Sequence, residues 1–373
     1  MSVRYQHINV MLTCAGRRNY LVKFFQEALE GRGLVFAADA SADAPALLQA
    51  DRSFILPALS HPAYIDTLLS ICQQHRVFLL IPLNDLELSL LATQKARFLQ
   101  VGTLPVISTP QVICTCADKW AALNFLKSNG FGVPSTYFSL ADARKALAQG
   151  DIRFPLVVKP RWGSASIGIE YSNDDEELEL NFRLASKRLP GTRLREMSAG
   201  ESQRCILVQE RLCGQEYGLD IVNDLEGRHV CTLVRRKIAM RAGETDRAVA
   251  VTNELLEEIG EGIGRKLGHV GILDCDAVIT EGNCHLLDLN PRFGGGYPFS
   301  HVAGANLPSA LVAWANCERV DPGWLKIKAN VTATKYDQLI IARRTSADAV
   351  AGDEATPVLD CTAPQLGTLG NGV

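Results

Sequence analysis

The feature that most restricts the fold is a change of period part-way along the chain. Up to about residue 112, short apolar runs alternate with segments whose apolar residues recur every three or four positions. From Cys205 onward, strand-like runs follow one another through turns. Alternating strand and helix implies parallel strands with helical crossovers, whereas strands joined by tight turns pair antiparallel. One chain therefore has to carry two kinds of sheet.

In the first part, residues 7–13 (HINVMLT), Leu34–Ala38 ending at Asp39, Val77–Leu83 and Val106-Ile107 read as four strands. Leu21, Phe24, Phe25, Ala28 and Leu29, then Tyr64, Ile65, Leu68, Leu69 and Cys72, then Leu86–Phe98 have helical spacing. This predicts a doubly wound α/β domain over residues 1–112. A middle segment, 113–200, opens with a helix from Asp118 to Asn129. It continues with strand-like Ser135–Phe138 and Leu156–Lys159, a Gly/Ser loop Arg161–Gly168, an acid-started helix Asp174–Lys187 and a polar, basic connection over 189–203. The third segment, 201–344, reads as strands Cys205–Leu212, Tyr217–Asn223 and Arg228–Met240, a helix Glu254–Leu267, a hairpin Gly271–Thr280/Cys284–Asn290 and a helix Leu307–Cys317. Residues 345–373 are Ala-, Gly-, Pro- and Thr-rich without periodicity, the composition of a poorly ordered tail.

A chain of 373 residues at 47% hydrophobic and 21% charged is an ordinary globular composition, long enough for several cores. Its formal net charge of −3 gives no overall basic field, so neither nucleic acid nor a membrane surface is an expected partner. No apolar stretch reaches spanning length. The eleven cysteines are scattered without CxxC spacing, which favours reduced, buried thiols and a cytoplasmic setting.

Four stretches carry chemistry. In "LLDLNPRFGGGYP", 286–298, the strand period puts Asp288 and Asn290 on one side. Pairing around the Glu281-Gly282-Asn283 turn brings Asp274 and Asp276 to the same face. Oxygen-only ligands suit Mg²⁺ or Mn²⁺, and Arg292 can balance charge on a transferring phosphoryl group; the alternative is a solvated hairpin face. In "PLVVKPRWGSASIGI", Lys159 ends an apolar strand before a loop with Gly163 and Gly168. This is a phosphate-binding pattern without a GxxxxGK[ST] motif, or simply a solvated lysine. In "LVQERLCGQEYGLDIV", backbone groups at Glu210–Leu212 can read an adenine edge and Glu216 a ribose, unless the two glutamates are plain surface. In "VRRKIAMRAGETDRAV", Arg235, Lys237 and Arg241 share a strand face suited to phosphate or carboxylate, or to an edge strand in water. Lys237 and Arg241 join Arg292 as candidate catalytic cations.

The order Lys119, Lys159 with its loop, Glu210–Glu216, Asp276, then Asp288-x-Asn290-Pro-Arg292 resembles the ATP-grasp superfamily. Single-chain members related to the large subunit of carbamoyl-phosphate synthetase and to the pyrrolysine-synthesis ligase are the most similar. The likeness runs over about residues 8–342 and is strongest in "NPRFGGGYPFSHVAGANLP" and "LTCAGRRNYLVKFFQEAL". It implies an N-terminal pre-ATP-grasp α/β domain followed by a two-part ATP-grasp fold, with a lid over 113–200 and Mg-ATP between lid and C-terminal part.

By that resemblance, Lys119 and Lys159 bind phosphates, Ser164–Gly168 close over them, Gln209, Glu210 and Leu212 form the adenine hinge and Glu216 holds the ribose. Asp288 and Asn290 would be metal ligands. The third is Asp276 if turn length sets the register, or Asp274 by distance from Asp288. Asp288 stands where glutamate is commoner, and its shorter arm weakens the case for bridging two metals. Substrate contacts fall on Gly16, Arg17 and Arg18 after the first strand, Asp85 and Glu87 after the third, and Gly294 and Gly295. Asp85 is equally a helix start.

The implied activity is an ATP-dependent ligase that activates a carboxylate, that of an amino acid for preference, as an acyl phosphate. The acyl group then passes to an amine (or thiol), with release of ADP and phosphate. The expected partners are those small molecules, with a homodimer left open. The alternatives are a small-molecule kinase or carbamoyl-phosphate-type synthetase, and a nucleotide-binding protein without turnover.

Overall fold

In a computed structural model, which describes residues 6–163, 168–188 and 204–341, the chain has the two kinds of sheet that the change of period requires. Five parallel strands come first: β1 (Asn9–Thr13), β2 (Val35–Asp39), β3 (Arg52–Ile55), β4 (Val77–Pro82) and β5 (Leu104–Pro105), in the order β3-β2-β1-β4-β5. The order reverses beside β1, so the loops after β1 and β4 flank a crevice where open α/β sheets bind ligands. β3 and the short helix Pro45–Gln49 were not legible. β3 has no buried residue, so it carries no apolar run to read. The last strand has its register pairs at Leu104 and Pro105, just before the expected Val106-Ile107, and Val106 N–H extends the pairing to the Leu80 carbonyl (2.8 Å).

A four-stranded sheet, β6-β9-β7-β8, follows: β6 (Thr136–Tyr137), β7 (Leu156–Pro160), β8 (Glu170–Ser172) and β9 (Ile206–Glu210). β9 lies beyond residue 200 yet pairs with β7 from Leu156↔Glu210 to Pro160↔Ile206, so it belongs to this sheet. Helices Pro110–Ala117 and Lys119–Ser128 supply buried residues to the core of the next sheet instead (Val112, Cys116, Ala122 and Leu126). The expected boundaries at 113 and 200 therefore do not coincide with the edges of these sheets.

The third sheet is antiparallel, with six strands in the order β14-β13-β10-β11-β12-β15. They are β10 (Gln215–Asn223), β11 (His229–Arg241), β12 (Glu244–Val251), β13 (Ile272–Thr280), β14 (Asn283–Asn290) and β15 (Thr332–Thr334). Helix Glu254–Leu267 buries Leu256, Ile263 and Leu267 against it and ends at Gly268 in the left-handed conformation (φ 62°). β12 had been read as part of one basic stretch; Ala242-Gly243, both at positive φ, fold that stretch into a hairpin. Met1–Gln338 form one compact unit, and Leu339–Val373 a second, of which 339–341 are described. The connection at 189–203 and the tail at 345–373 lie outside the described residues. Among the described residues no helix is long and apolar enough to cross a membrane.

Candidate active site

The β13–β14 hairpin is built around one irregularity. From the turn, Thr280 pairs with Asn283 and the register runs regularly to Ala277↔Leu286. It then shifts, and Asp276 pairs with Asp288 and Asp274 with Asn290. Leu287 is the extra residue of a β-bulge. In an unbroken register Asp276 would face Leu287, and Asp288 would fall on the other side of the sheet. The bulge, not alternation alone, brings the four polar residues to one face.

Across the sheet Asp276 is next to Gly218, and Gly218 next to Arg235. Arg235 passes over Gly218 to reach Asp274 (2.6 Å) and Asp220 (2.8 Å), with its side chain 2% exposed. A Cβ on Gly218 would sit 2.5 Å from the guanidinium, and one on Gly296 2.2 Å from it. Gly294 leaves room for the Asp274 carboxylate in the same way, and Gly295 lies against Glu244. The glycine run thus accommodates charged side chains. Asp220 also accepts a hydrogen bond from Ser300 Oγ (2.5 Å), and burial pushes its carboxyl up despite Arg235.

This arrangement separates the two candidates for the third ligand. Asp274 is committed to Arg235, with Arg292 at 3.7 Å. Asp276 is held on one oxygen by Lys237 (2.7 Å) and remains one-third exposed. Asp288 Oδ1 is buried without a hydrogen-bond partner. Burial, then the charges of Asp276 and Asp274, push the Asp288 carboxyl up to about 6, with Lys119 and Lys159 pulling the other way. Among the described residues no three His, Cys, Asp or Glu side chains are grouped closely enough to hold a metal. Asp276 and Asp288 with the Asn290 amide, an orphaned oxygen among them, do suit a hard cation that takes its other ligands from water and phosphate.

Two lysines face this hairpin. Lys159 ends β7, is 6% exposed and donates to Gln209 Oε1 (2.7 Å). Burial first, then the charge of Lys119, lower its pKa to about 8, against the pull of Asp288. Lys119 opens its helix and donates to the Gly163 carbonyl. Burial lowers its pKa too, opposed by Asp288, Asp85 and Asp118. The residues that bring the lysines together were missed in the sequence. Asp118 caps Trp120 N–H and takes both Arg161 Nε (2.8 Å) and Nη2 (2.6 Å), and Lys119 N–H donates to the Arg161 carbonyl (3.0 Å). The signal was an Asp immediately before a helix and an Arg two residues after a strand-end lysine.

The other expected residues divide. Gln209 is 4% exposed, and its side chain holds Lys159 and Thr136 Oγ1 (2.8 Å), so it orients a cation. Glu210 accepts from Ser135 N–H (3.3 Å) at the end of β9, Leu212 follows it half-buried, and exposed Glu216 lies 3.8 Å from Lys237. Gly168 is at φ 73° against Pro160, and Ser164 lies outside the described residues. Arg241 pairs with Asp337 (2.6 Å) and Asp246 (3.1 Å) at half exposure.

On the crevice side, Gly16 N–H donates to Asp39 Oδ2 (2.9 Å), and exposed Arg17 lies 3.8 Å from Asp337. Arg18 Nη1 donates to the carbonyls of Leu83 and Phe293, both at 2.7 Å, joining the two switch-point loops to the glycine run. Asp85 pairs with Arg292 (2.8 Å). Burial opposes the Arg292 charge, and Asp85 and Asp274 outweigh it. Glu87 turns inward: it is 0% exposed, and Tyr64 Oη (2.5 Å) and Thr13 Oγ1 (2.9 Å) occupy its two oxygens. That placement corrects its reading as a substrate contact. An acid in the first turn of the helix that follows a strand looks the same in sequence whether it faces the crevice or the core.

Residues 10–107 match the model of the PylC-like N-terminal domain, and residues 202–336 match "ATP-grasp in the biosynthetic pathway with Ter operon". An acetyl-CoA carboxylase of Dictyostelium discoideum is 29% identical over 188 residues, 48% of this chain, which spans only 8% of that relative's length. The biotin carboxylase of Campylobacter jejuni, solved as a β-γ-ATP complex, aligns with TM-score 0.68 at 14% identity over 88% of this chain and 75% of its own. The L-amino acid ligase of Bacillus licheniformis aligns with TM-score 0.66 at 20% identity over 88% and 80%. At those identities the structural likenesses speak for the fold. The two family matches identify residues 202–336 as ATP-grasp and residues 10–107 as a PylC-like N-terminal domain.

Proposed function

We propose that this chain is an ATP-dependent carboxylate–amine ligase of the cytoplasm. It would convert a carboxylate to an acyl phosphate and pass the acyl group to an amine, releasing ADP and phosphate. The observation that carries this reading is the meeting of Lys119 and Lys159 with Asp288, whose buried Oδ1 has no protein partner. Two desolvated cations beside an unsatisfied carboxylate suit a polyanion accompanied by a divalent metal. Asp276, Asp288 and Asn290 would hold magnesium or manganese, which supplies positive charge against the phosphates.

The chain's own residues have separable parts in this scheme. Lys119 and Lys159 hold phosphate oxygens, with Gln209 and the Gly163 carbonyl orienting the two ammonium groups. The backbone of Glu210–Leu212 reads the adenine, and Glu216 takes the ribose. Lys237 and Arg292 flank the acidic face and balance charge on the moving phosphoryl group. Positioning and electrostatics carry that transfer. The L-amino acid ligase among the structural neighbours favours an amino acid as carboxylate donor. The test is an amino-acid screen for ADP release with Mg-ATP. Release that depends on a particular carboxylate supports the proposal. ADP with a stable phosphorylated alcohol would show a kinase, and no turnover with any acceptor a nucleotide-binding protein.

A further inference from the structure

Two side chains of the N-terminal domain reach the residues that follow β14. Arg18, in the loop after β1, donates through Nη1 to the carbonyls of Leu83 and Phe293, both at 2.7 Å. Asp85, the first residue of helix Asp85–Gln100 after β4, accepts from Arg292 Nη2 at 2.8 Å. Arg292 Nη1 donates to the same Phe293 carbonyl (3.2 Å), so two guanidinium groups share one oxygen. Like charges that close repel. Burial lowers the Arg18 pKa, and Arg292 adds to this while Asp85 opposes it. Asn84 is the residue that caps the helix, accepting from Leu86 N–H (2.9 Å), which discounts a capping role for Asp85. The Arg292 side chain is 8% exposed, and its Nε is buried without a hydrogen-bond partner. On its other side Asp274 is committed to Arg235 and lies 3.7 Å away. A carboxylate on one edge of a planar fork fixes the directions of its remaining donors.

We propose that Asp85 is a positioning residue for Arg292: with Arg18 on the adjoining carbonyl, it aims the guanidinium from the N-terminal domain, which thereby takes part in phosphoryl transfer. The inference rests on the charge-balancing role that the ligase reading gives Arg292, and adds the residue that orients this cation. Asp85 acts through Arg292 and not on the substrate. The loops after β1 and β4, on either side of the order reversal, thus grip residues 292 and 293 together.

The experiment compares wild type, Asp85→Asn, Arg292→Ala and the double variant as full chains. It reads the single-turnover rate of ADP formation with the stimulating acid, the affinity of a non-hydrolysable ATP analogue with Mg²⁺, and melting. The Arg292 Nε–H signal in ¹⁵N NMR, assigned by its absence from Arg292→Ala, reports the guanidinium directly. A misplacement of about 1 Å can cost ~10²-fold in rate. Asp85→Asn should lower the rate by at least ~10-fold and leave analogue affinity within about 2-fold, the pattern of an interaction made in the transition state. In the Arg292→Ala background the same substitution should change the rate by less than about 2-fold, because residues that act as a unit are not additive. The Arg292 signal should shift in Asp85→Asn. An unchanged rate in folded Asp85→Asn, even with lower melting, shows an ion pair that is structural only and overturns the proposal. A rate loss that persists in full without Arg292 puts Asp85 on the substrate and overturns it as well. If no acid supports turnover, the ligase reading falls, and the NMR signal decides alone: a shift in Asp85→Asn keeps the orientation of Arg292 by Asp85, and an unmoved signal removes it.

Discussion

Asp276 and Asp288 are paired directly across adjacent strands, two carboxylates where a hairpin ordinarily puts opposite or neutral side chains. The bulge at Leu287 creates this juxtaposition, and Lys237, Lys119 and Lys159 offset only part of its charge. Stability is therefore sacrificed at the point where a divalent cation would restore it. Asp288→Asn should raise the melting temperature of the metal-free protein by roughly 1–3 °C. It should also remove the stabilisation that Mg²⁺ and an ATP analogue give the wild type, and cost at least ~10²-fold in turnover. A variant that melts lower and keeps turnover would contradict the assignment.

The Lys159 ammonium has a pKa of about 8 before any phosphate arrives. A lowered lysine pKa means that the charge is lost as pH rises through that value. Binding of an ATP analogue should accordingly weaken above pH 8, by up to about 10-fold per pH unit. Lys159→Met should bind weakly with no such slope, and Lys159→Arg should rescue poorly because a planar guanidinium does not fit a compact ammonium site. Calorimetric titrations from pH 7 to 9.5 check this; identical slopes in wild type and Lys159→Met would rule out the phosphate contact.

Glu87 has a different and testable role. Its carboxyl is pushed up to about 7, chiefly by burial, although Tyr64 and Thr13 donate to it. A folded pKa above the unfolded value means that the folded state holds the proton more tightly. This contribution is complete below about pH 4.3, the ordinary glutamate value, and is lost as pH rises through 7. Glu87→Gln should flatten the fall in stability across that window, worth roughly 3 kcal/mol at full extent. Denaturant unfolding at pH 5 and pH 7.5 measures it, and an unchanged pH dependence would exclude Glu87 as its source.

Arg235 connects the acidic face to the core. Arg235→Met leaves Asp220 and Asp274 buried without their cation, a loss of about 3–5 kcal/mol. Gly218→Ala and Gly296→Ala should be destabilising as well, because the added methyl meets the guanidinium. Near wild-type melting of Gly218→Ala would show that Arg235 can leave this position freely.

These residues also show where sequence reading stops. The two kinds of sheet were legible, because period and turn spacing record them directly; the hairpin pairing was legible from its turn, and Lys119 was singled out only by the resemblance. The bulge at Leu287 was not, since nothing in "LLDLN" shows the shift of register. Gly294 and Gly295 are expected as substrate contacts, and the sequence gives no sign that the glycine run also makes room for Arg235, Asp274 and Glu244, which lie on distant strands. Glu87 was misplaced for a related reason: burial depends on Tyr64 and Thr13, far away in the chain. Side-chain roles that depend on one long-range partner leave little local trace.

The central claim is that a carboxylate oxygen attacks the γ-phosphorus of ATP. It is tested most directly by supplying the stimulating acid labelled with ¹⁸O in its carboxylate and analysing the released phosphate. Transfer of one labelled oxygen to inorganic phosphate, with ADP as the other product, is the predicted result. Label retained entirely in the acyl product, or AMP and pyrophosphate in place of ADP and phosphate, would contradict it.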